Sequence, residues 1–109
     1  MGIIKVNINN VYARLAVDGK LKVIPLPESP HYKFLTGDED PYIKYMEIVK
    51  QPEHSVAIYR KLIVTFNIEK SKHIKCRLHK GKYIIYDGFH RSCIFLFKEY
   101  KKIEILVIN

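Results

Sequence analysis

The segment from residue 83 to residue 92 constrains the fold of this chain more than any other. An apolar run over 83–86 drops into Asp87-Gly88 and then passes through His90 and Arg91 into a second apolar run. This pattern predicts a strand, a tight turn and a helix. A helix N-terminus offers unpaired N–H groups and the positive end of a dipole, and His and Arg there add charge. We therefore expect an anion site at this turn, for phosphate.

Composition limits the class of protein. The 109 residues are 48% hydrophobic, which suits one folded domain over 1–109 with 1–19 as an N-terminal strand and hairpin extension. No apolar run is long enough to cross a membrane, and no signal-peptide layout opens the chain, so we expect a cytoplasmic protein without membrane partners. The net charge of +8 favours anionic partners, although lysines scattered singly are also typical of an ordinary solvated surface.

Two hairpins are predicted from turn residues between apolar runs. Asp18-Gly19 separates the runs 11–17 and 20–24, and Lys80-Gly81 separates 73–79 from 82–86. Asp-Gly at such a position favours a type I′ turn, because both central residues must take a positive φ.

No zinc site is expected over residues 73–79. Strict alternation over 73–79 places Cys76 on the strand face opposite to His73 and His79, so the three cannot share an ion. Cys76 and Cys93 match no metal or redox spacing and are interpreted as free buried thiols. The acidic run 38–40 precedes a helix, where carboxylates serve mainly as caps and dipole partners.

The remaining elements complete an α+β fold. Residues 26–40, rich in proline, are predicted to form an irregular loop, followed by helices near 41–51 and 55–66 with Asp40 as the first N-cap. A buried helix over 91–100 leads to a closing strand over 103–108, which is too apolar for a sheet edge. We interpret the end of the chain as a right-handed βαβ unit with parallel outer strands, in a small single-domain mixed sheet with helices.

The chain resembles the ParB/sulfiredoxin-fold family over roughly residues 20–108. That family carries a hairpin, a G-x-H-R or G-x-R-R box that opens a buried helix, and a closing strand. Here the box is Gly88-Phe89-His90-Arg91, preceded by Asp87. The family also begins with a strand that feeds an extended loop and then helices, which matches the order predicted from residue 20 onward.

Two branches of this family fit poorly. The resemblance to sulfiredoxins implies a catalytic cysteine between Gly and His, but this chain has Phe89 there, and Cys93 lies within the helix. The resemblance to chromosome-partitioning ParB proteins implies a CTP triphosphate in the box and a following DNA-binding region. We expect no such region after the closing strand, so DNA partitioning is not favoured.

The Asp-Gly-x-His-Arg form of the box looks most like the free-serine kinases of this fold. That resemblance implies an enzyme that uses ATP or ADP, possibly CTP, with Mg²⁺ to phosphorylate a small hydroxyl compound. It implies nucleotide phosphate on the box and a glutamate base in the loop after the first strand, where Glu28 lies by position. The residue types of the box agree with this activity, because phosphoryl transfer needs mainly positioning of the reactants and neutralisation of phosphate charge.

Each candidate residue is assigned a role on this basis. Gly88, His90, Arg91 and Ser92 would hold the phosphates, and His90 could also protonate a phosphate oxygen. Asp87 could bind Mg²⁺ or accept a proton from the substrate hydroxyl. The candidate catalytic residues are therefore Glu28, Asp87 and His90.

Three function classes stay open. The first is a kinase or other nucleotide-dependent phosphotransferase acting on a small metabolite. The second is a non-catalytic nucleotide-binding module. The third is a ParB-like nucleic-acid-binding or nuclease domain, which the basic charge keeps open without favouring it. Structural alternatives also stay open for three residues: a turn-shaping role for Asp87, an ion pair for Arg91 and a hydrogen-bonded structural role for His90.

Overall fold

A computed structural model of the chain describes residues 2–49, 52–67 and 73–108. Within these ranges there are six strands, four α-helices and two single 3₁₀ turns. The strands are β1 Gly2–Asn7, β2 Val11–Val17, β3 Lys20–Pro25, β4 Ile74–His79, β5 Lys82–Asp87 and β6 Lys102–Val107. The α-helices are α1 Pro30–Leu35, α2 Asp40–Ile48, α3 Pro52–Thr65 and α4 Phe89–Phe97, and the 3₁₀ turns are Ile8–Asn10 and Leu26–Glu28.

The strands form one mixed sheet in the order β1-β6-β4-β5-β2-β3. The neighbours β1/β6, β4/β5 and β2/β3 are antiparallel, whereas β4/β6 and β2/β5 are parallel. This arrangement confirms the α+β class and the interior position of the closing strand β6. Strand β2 is also interior, so the segment 11–17 is part of the sheet itself.

Both predicted hairpins are confirmed by their turns. Asp18 and Gly19 have φ values of 51° and 77°, and Lys80 and Gly81 have 51° and 78°. Positive φ at both central residues is the requirement of the type I′ turn, whose twist matches that of the flanking strands.

The predicted βαβ ending is wrong in strand direction. Strand β6 is parallel to β4 and lies on the far side of β4 from β5, so β5 and β6 run antiparallel. Helix α4 has nine residues, about 13 Å in length, whereas a six-residue strand extends about 20 Å. The helix therefore moves the chain across the sheet rather than back along β5.

The predicted irregular loop over 26–40 is also wrong, because most of it is helical. Ser29 is the N-cap of α1, and its side-chain oxygen accepts a hydrogen bond from the N–H of Tyr32. Pro30 follows at the first helical position, where its fixed φ suits a helix start. The prediction of Asp40 as the N-cap of α2 is wrong by one residue, because α2 begins at Asp40 with Glu39 as its N-cap and Pro41 in its first turn.

The α-helices pack on one face of the sheet. That face carries the fully buried residues Ala13, Cys76 and Ile105, and Cys93 of α4 joins the same core. A second cluster connects the helices to one another through Phe34, Tyr42, Met46, Tyr59 and Ile94. Residues that alternate with the buried ones point to the opposite sheet face, which is largely exposed. Within the described ranges, no helix has the length and hydropathy needed to cross a bilayer.

Candidate functional site

A cavity of about 780 Å³ opens at the carboxyl end of β5. Strands β2 and β5 pair at only two positions, Val11 with Tyr83 and Tyr12 with Ile84. Beyond these positions β2 turns into the hairpin with β3, while β5 leads into α4. A crevice at the carboxyl ends of parallel strands whose connections leave in different directions is the usual ligand site of an open sheet.

The start of α4 forms one wall of the cavity. Gly88 is the N-cap with φ 104° and ψ 28°, and no side chain caps the helix. The first N–H to find a helical acceptor is that of Ser92, which donates to the carbonyl oxygen of Gly88 at 2.8 Å. Helix geometry gives the N–H groups of residues 89–91 no acceptor within the helix, so these donors lie at the cavity with the positive end of the dipole.

Glycine is required at position 88 by conformation and by space. A Cβ there would lie 3.0 Å from Nη2 of Arg91 and 3.0 Å from Cγ1 of Ile74. The Arg91 side chain therefore folds back over the turn, with Nη2 3.4 Å from Oδ2 of Asp87. The Arg91 side chain is only 17% exposed and that of Asp87 is 56% exposed. The guanidinium thus forms part of the cavity wall, and the carboxylate reaches solvent.

His90 lies inward rather than adding charge to the helix start. Its Nε2 is hydrogen-bonded to the hydroxyl of Tyr42 at 2.9 Å, and burial lowers the pKa of the imidazole to about 4. The expectation of two cationic side chains at this turn is therefore wrong at neutral pH. Of the pair, Arg91 alone carries charge, and His90 offers a neutral ring and a hydrogen bond.

Ser92 stabilises the first turn of α4. Its hydroxyl and its N–H both donate to the carbonyl oxygen of Gly88 at 2.8 Å, and the side chain is fully buried. Both donors assigned to phosphate from the sequence are therefore used within the helix. The other groups of this turn that line the cavity are residues 89–91, including the Arg91 side chain.

His31 is the residue of the site that sequence reasoning missed. It is 2% exposed, and its ring lies against Phe89 with centroids 3.8 Å apart and planes 19° apart. The rings of His31 and His90 meet edge to face, with their centroids 4.6 Å apart. Burial, reinforced by His90, lowers the pKa of His31 to about 2, so the ring is neutral.

The Nδ1 atom of His31 is buried without a hydrogen-bond partner among the described residues. Buried polar atoms in native proteins are nearly always paired, so this unpaired nitrogen in a residue that lines the cavity is unusual. The Ser29-Pro30 start of α1 was the sequence signal for this position, because it fixes a helix that carries His31 inward. The backbone of His31 is held as well, since the Tyr59 hydroxyl donates to its carbonyl oxygen at 2.9 Å.

Arg14 of β2 also lines the cavity. No spacing in the sequence connects it with Arg91, because the two meet only through the pairing of β2 with β5. The rest of the wall is aromatic and aliphatic, and includes Tyr45, Met46 and Leu62. One end of the cavity is thus suited to an anion and the other to an apolar group.

Glu28 is not brought to this cavity. It ends the 3₁₀ turn Leu26–Glu28, is exposed, and does not line the wall formed by Asp87, His90 and Arg91. Its neighbour Ser29 points inward instead, with Oγ donating to the carbonyl oxygen of Leu26 at 2.7 Å. The structure therefore places two of the three predicted catalytic residues, Asp87 and His90, at the cavity and leaves the third outside.

Within the described ranges, no three His, Cys, Asp or Glu side chains group as a metal centre. Cys76 and Cys93 are free and buried, as expected, and burial raises the pKa of each thiol to about 12. These thiols are therefore inert at neutral pH.

Comparisons with models of protein families, with curated proteins and with solved structures found no match to this chain.

Proposed function

We propose that this protein binds the phosphates of a nucleotide at the start of α4. The observation that carries the proposal is the helix N-terminus at Gly88, with Arg91 folded beside it, in the wall of a cavity of about 780 Å³. Backbone N–H groups, a helix dipole and a guanidinium converge there, and all three favour an oxyanion.

A second observation supports a ligand in this cavity. His31 presents a buried Nδ1 without a partner, and its ring packs on Phe89, the first residue of α4. A neutral imidazole nitrogen can accept a hydrogen bond from a ribose hydroxyl or an exocyclic amine, or donate one to an oxygen. A bound nucleotide would supply the partner that this atom lacks.

The size and lining of the cavity favour a nucleotide over inorganic phosphate. Ligand pockets for molecules of this size run from about 300 to 1,000 Å³. Tyr45, Met46 and Leu62 form a wall that could cover a base, and Arg14 adds a second cation. We place the phosphates between Arg91 and Arg14 and the base towards α2 and α3.

The order of elements supports the proposed relationship to the ParB/sulfiredoxin fold. Strand β3, the helices α1 to α3, the β4–β5 hairpin, the Gly88-Phe89-His90-Arg91 box and the closing strand β6 follow one another in the order that the resemblance implies. The extended loop that it implies after β3 is instead the 3₁₀ turn Leu26–Glu28 and helix α1. The box opens a helix whose residues Ser92, Cys93 and Ile94 are buried.

We further propose that the protein is a phosphotransferase acting on a small hydroxyl compound. Asp87 is the carboxylate at the cavity, exposed enough to meet an incoming hydroxyl, and is the favoured base. Magnesium is commonly held by one or two carboxylates together with substrate phosphates, so Asp87 fits that role as well. When bound, the ion would neutralise phosphate charge during transfer.

A thermal-shift panel of ATP, ADP and CTP, with and without Mg²⁺, tests the binding proposal. A nucleotide at 100 times its Kd stabilises a protein by about 2.7 kcal/mol, a rise in Tm of the order of 10 °C for a domain of this size. We expect such a rise with at least one nucleotide, and a much smaller one in Arg91→Ala. If none of the three nucleotides raises Tm, the proposal fails.

Turnover separates the enzyme from a non-catalytic binding module. Nucleotide consumption in the presence of a panel of small alcohols should fall at least 100-fold in Asp87→Asn, while nucleotide binding without Mg²⁺ persists. Glu28→Gln serves as the matched carboxylate-to-amide control, because Glu28 lies outside the cavity lining. A loss of turnover in Glu28→Gln and none in Asp87→Asn would show that Glu28, and not Asp87, acts as the base.

A further inference from the structure

The face of the sheet opposite to the helices is strongly basic. The outward-facing strand residues include six lysines and arginines and one carboxylate, Glu104. The six are Lys5, Arg14, Lys75, Arg77, Lys82 and Lys102. All six are exposed, whereas the residues that alternate with them in the strands include Val6, Ala13, Cys76 and Ile103, which are buried. Most of the net charge of +8 is therefore concentrated on one bare surface.

Two tyrosines are interleaved with these cations on the central strands. The guanidinium of Arg77 lies 5.0 Å from the ring centroid of Tyr86, and Nζ of Lys82 lies 4.8 Å from that of Tyr12. The Tyr86 side chain is prominent at the surface, with 64% of the residue exposed. We call the five residues Tyr12, Arg14, Arg77, Lys82 and Tyr86 the sheet patch.

The sheet patch is a shallow groove rather than a flat surface. A depression of about 450 Å³ runs over it, with Arg14, Arg77, His79 and Tyr86 in its wall and the side chain of Ile84 below. Arg77 and Ile84 are opposite each other in the β4–β5 register, and Ile84 is level with Tyr12 across β5 and β2. The groove therefore lies over β2, β4 and β5, with Arg14, Arg77 and the ring of Tyr86 in its wall.

We propose that the sheet patch binds single-stranded nucleic acid. Six cations against one carboxylate on this face of the sheet, three of them in the sheet patch, complement a phosphate backbone, and cations alone would accept any polyanion. The exposed Tyr86 and the half-buried Tyr12 distinguish the partner, because bases present flat π-faces that stack on aromatic side chains and acidic peptides do not. This surface is separate from the start of α4 and from Arg91, although Arg14 and Tyr86 border both depressions.

Fluorescence anisotropy with a labelled single-stranded DNA of about 20 nucleotides, and with its RNA counterpart, tests the proposal. Each neutralised phosphate of a single strand contributes about −0.7 to the slope of log affinity against log salt concentration. With four phosphates contacted, affinity should fall roughly 50-fold between about 50 and 200 mM salt. No binding at the lower salt concentration would overturn the proposal.

Variants assign the binding to the patch. Arg77→Glu with Lys82→Glu should weaken binding at least about tenfold, whereas Lys44→Glu with Lys61→Glu, on the exposed side of α2 and α3, changes net charge equally and should have little effect. Tyr86→Ala should weaken binding about fivefold or more through lost stacking. Equal losses of affinity in the two double variants, or no loss of affinity in Tyr86→Ala, would contradict the proposal. Either result would mean that the oligonucleotide is held only by general attraction between a cationic protein and a polyanion.

Two controls complete the design. Circular dichroism melting of each variant checks folding, because Arg91 is only partly exposed, whereas the other substituted residues lie at the surface. Polyglutamate and vesicles with anionic lipid replace the oligonucleotide at the same salt concentration. Binding of either one as tight as that of the oligonucleotide would overturn the choice of nucleic acid. Loss of oligonucleotide binding in Arg91→Ala would place it in the nucleotide cavity instead, and would also overturn the proposal.

Discussion

The imidazole of His31 lies nearly parallel to the ring of Phe89, with 3.8 Å between their centroids. This contact joins the second residue of α1 to the first residue of α4, so it fixes the start of α4 against the other helices. The helix end that we propose for phosphate binding is therefore held in place by packing, and its loss should be measurable as stability.

Phe89→Ala should destabilise the protein by roughly 2–4 kcal/mol, because it removes the stacked ring and leaves a cavity beside a buried histidine. Urea unfolding measures the change in free energy. Phe97→Ala is the matched control at the other end of α4, where the phenylalanine is 44% exposed, and it should cost less than about 1 kcal/mol. Equal costs would show that Phe89 has no special packing role.

Stability should fall as pH falls from 6.5 towards 4. The pKa of His31 is lowered to about 2 and that of His90 to about 4 in the folded state, from an ordinary value of 6.5. Below pH 6.5 the unfolded chain therefore binds more protons, and the free energy of unfolding falls by up to about 2.7 kcal/mol per pH unit for two groups. Above pH 6.5 the two histidines are neutral in both the folded and the unfolded chain, so this loss in the free energy of unfolding is absent there.

Urea unfolding between pH 7 and pH 5 measures this slope. His31→Phe keeps a ring against Phe89 and removes one of the two groups, so it should roughly halve the slope. A stability that is flat from pH 7 to pH 5 would contradict the burial of neutral histidines.

Gly88→Ala should cost clearly more stability than Gly37→Ala. Both glycines have nearly the same φ, 104° and 103°, so both variants carry the conformational penalty of about 1–2 kcal/mol. A Cβ at position 37 meets nothing within 4 Å, whereas one at position 88 lies 3.0 Å from Ile74 and Arg91. We expect at least about 1 kcal/mol of additional loss at position 88, measured by urea unfolding. Equal losses would mean that Arg91 does not pack over the turn.

Tyr42→Phe should destabilise the protein by about 1 kcal/mol or more, because it leaves Nε2 of the buried His90 without the hydroxyl 2.9 Å away. Tyr86→Phe removes a hydroxyl from a residue that is 64% exposed and should change the unfolding free energy by less than about 0.5 kcal/mol. If the two changes are equal, the bond between Tyr42 and His90 contributes nothing to stability.

The local elements of the fold could be predicted because short-range signals specify them. Asp18-Gly19 and Lys80-Gly81 define two hairpins, and Asp40-Pro41 marks the start of α2. The direction of β6 could not be predicted, because an apolar run carries no information on which side of β4 it pairs. The sequence does carry a local signal for α1 at Ser29-Pro30, which is a helix N-cap followed by a proline. The other prolines nearby favour an irregular loop, and the prediction therefore missed this helix.

The residues of the candidate site also fall into those that the sequence predicts and those that only the tertiary structure shows. Asp87, Gly88, His90 and Arg91 are contiguous in sequence, and the turn that holds them could be inferred from their types. Arg14 and His31 reach the cavity from β2 and α1, and only the tertiary structure shows that proximity. The charge state of His90 could not be inferred either, because it depends on burial by residues far along the chain.

The measurement that tests phosphate binding most directly is an NMR titration of the backbone amides with ATP and Mg²⁺, repeated with ADP and CTP. At least one nucleotide should shift the amide resonances of Phe89, His90 and Arg91 most strongly, because these N–H groups have no acceptor within α4. The shifts should be lost in Gly88→Ala and kept in Gly37→Ala. Shifts confined to the sheet patch, or no shifts with any of the three nucleotides, would contradict the proposal that this helix start holds phosphate.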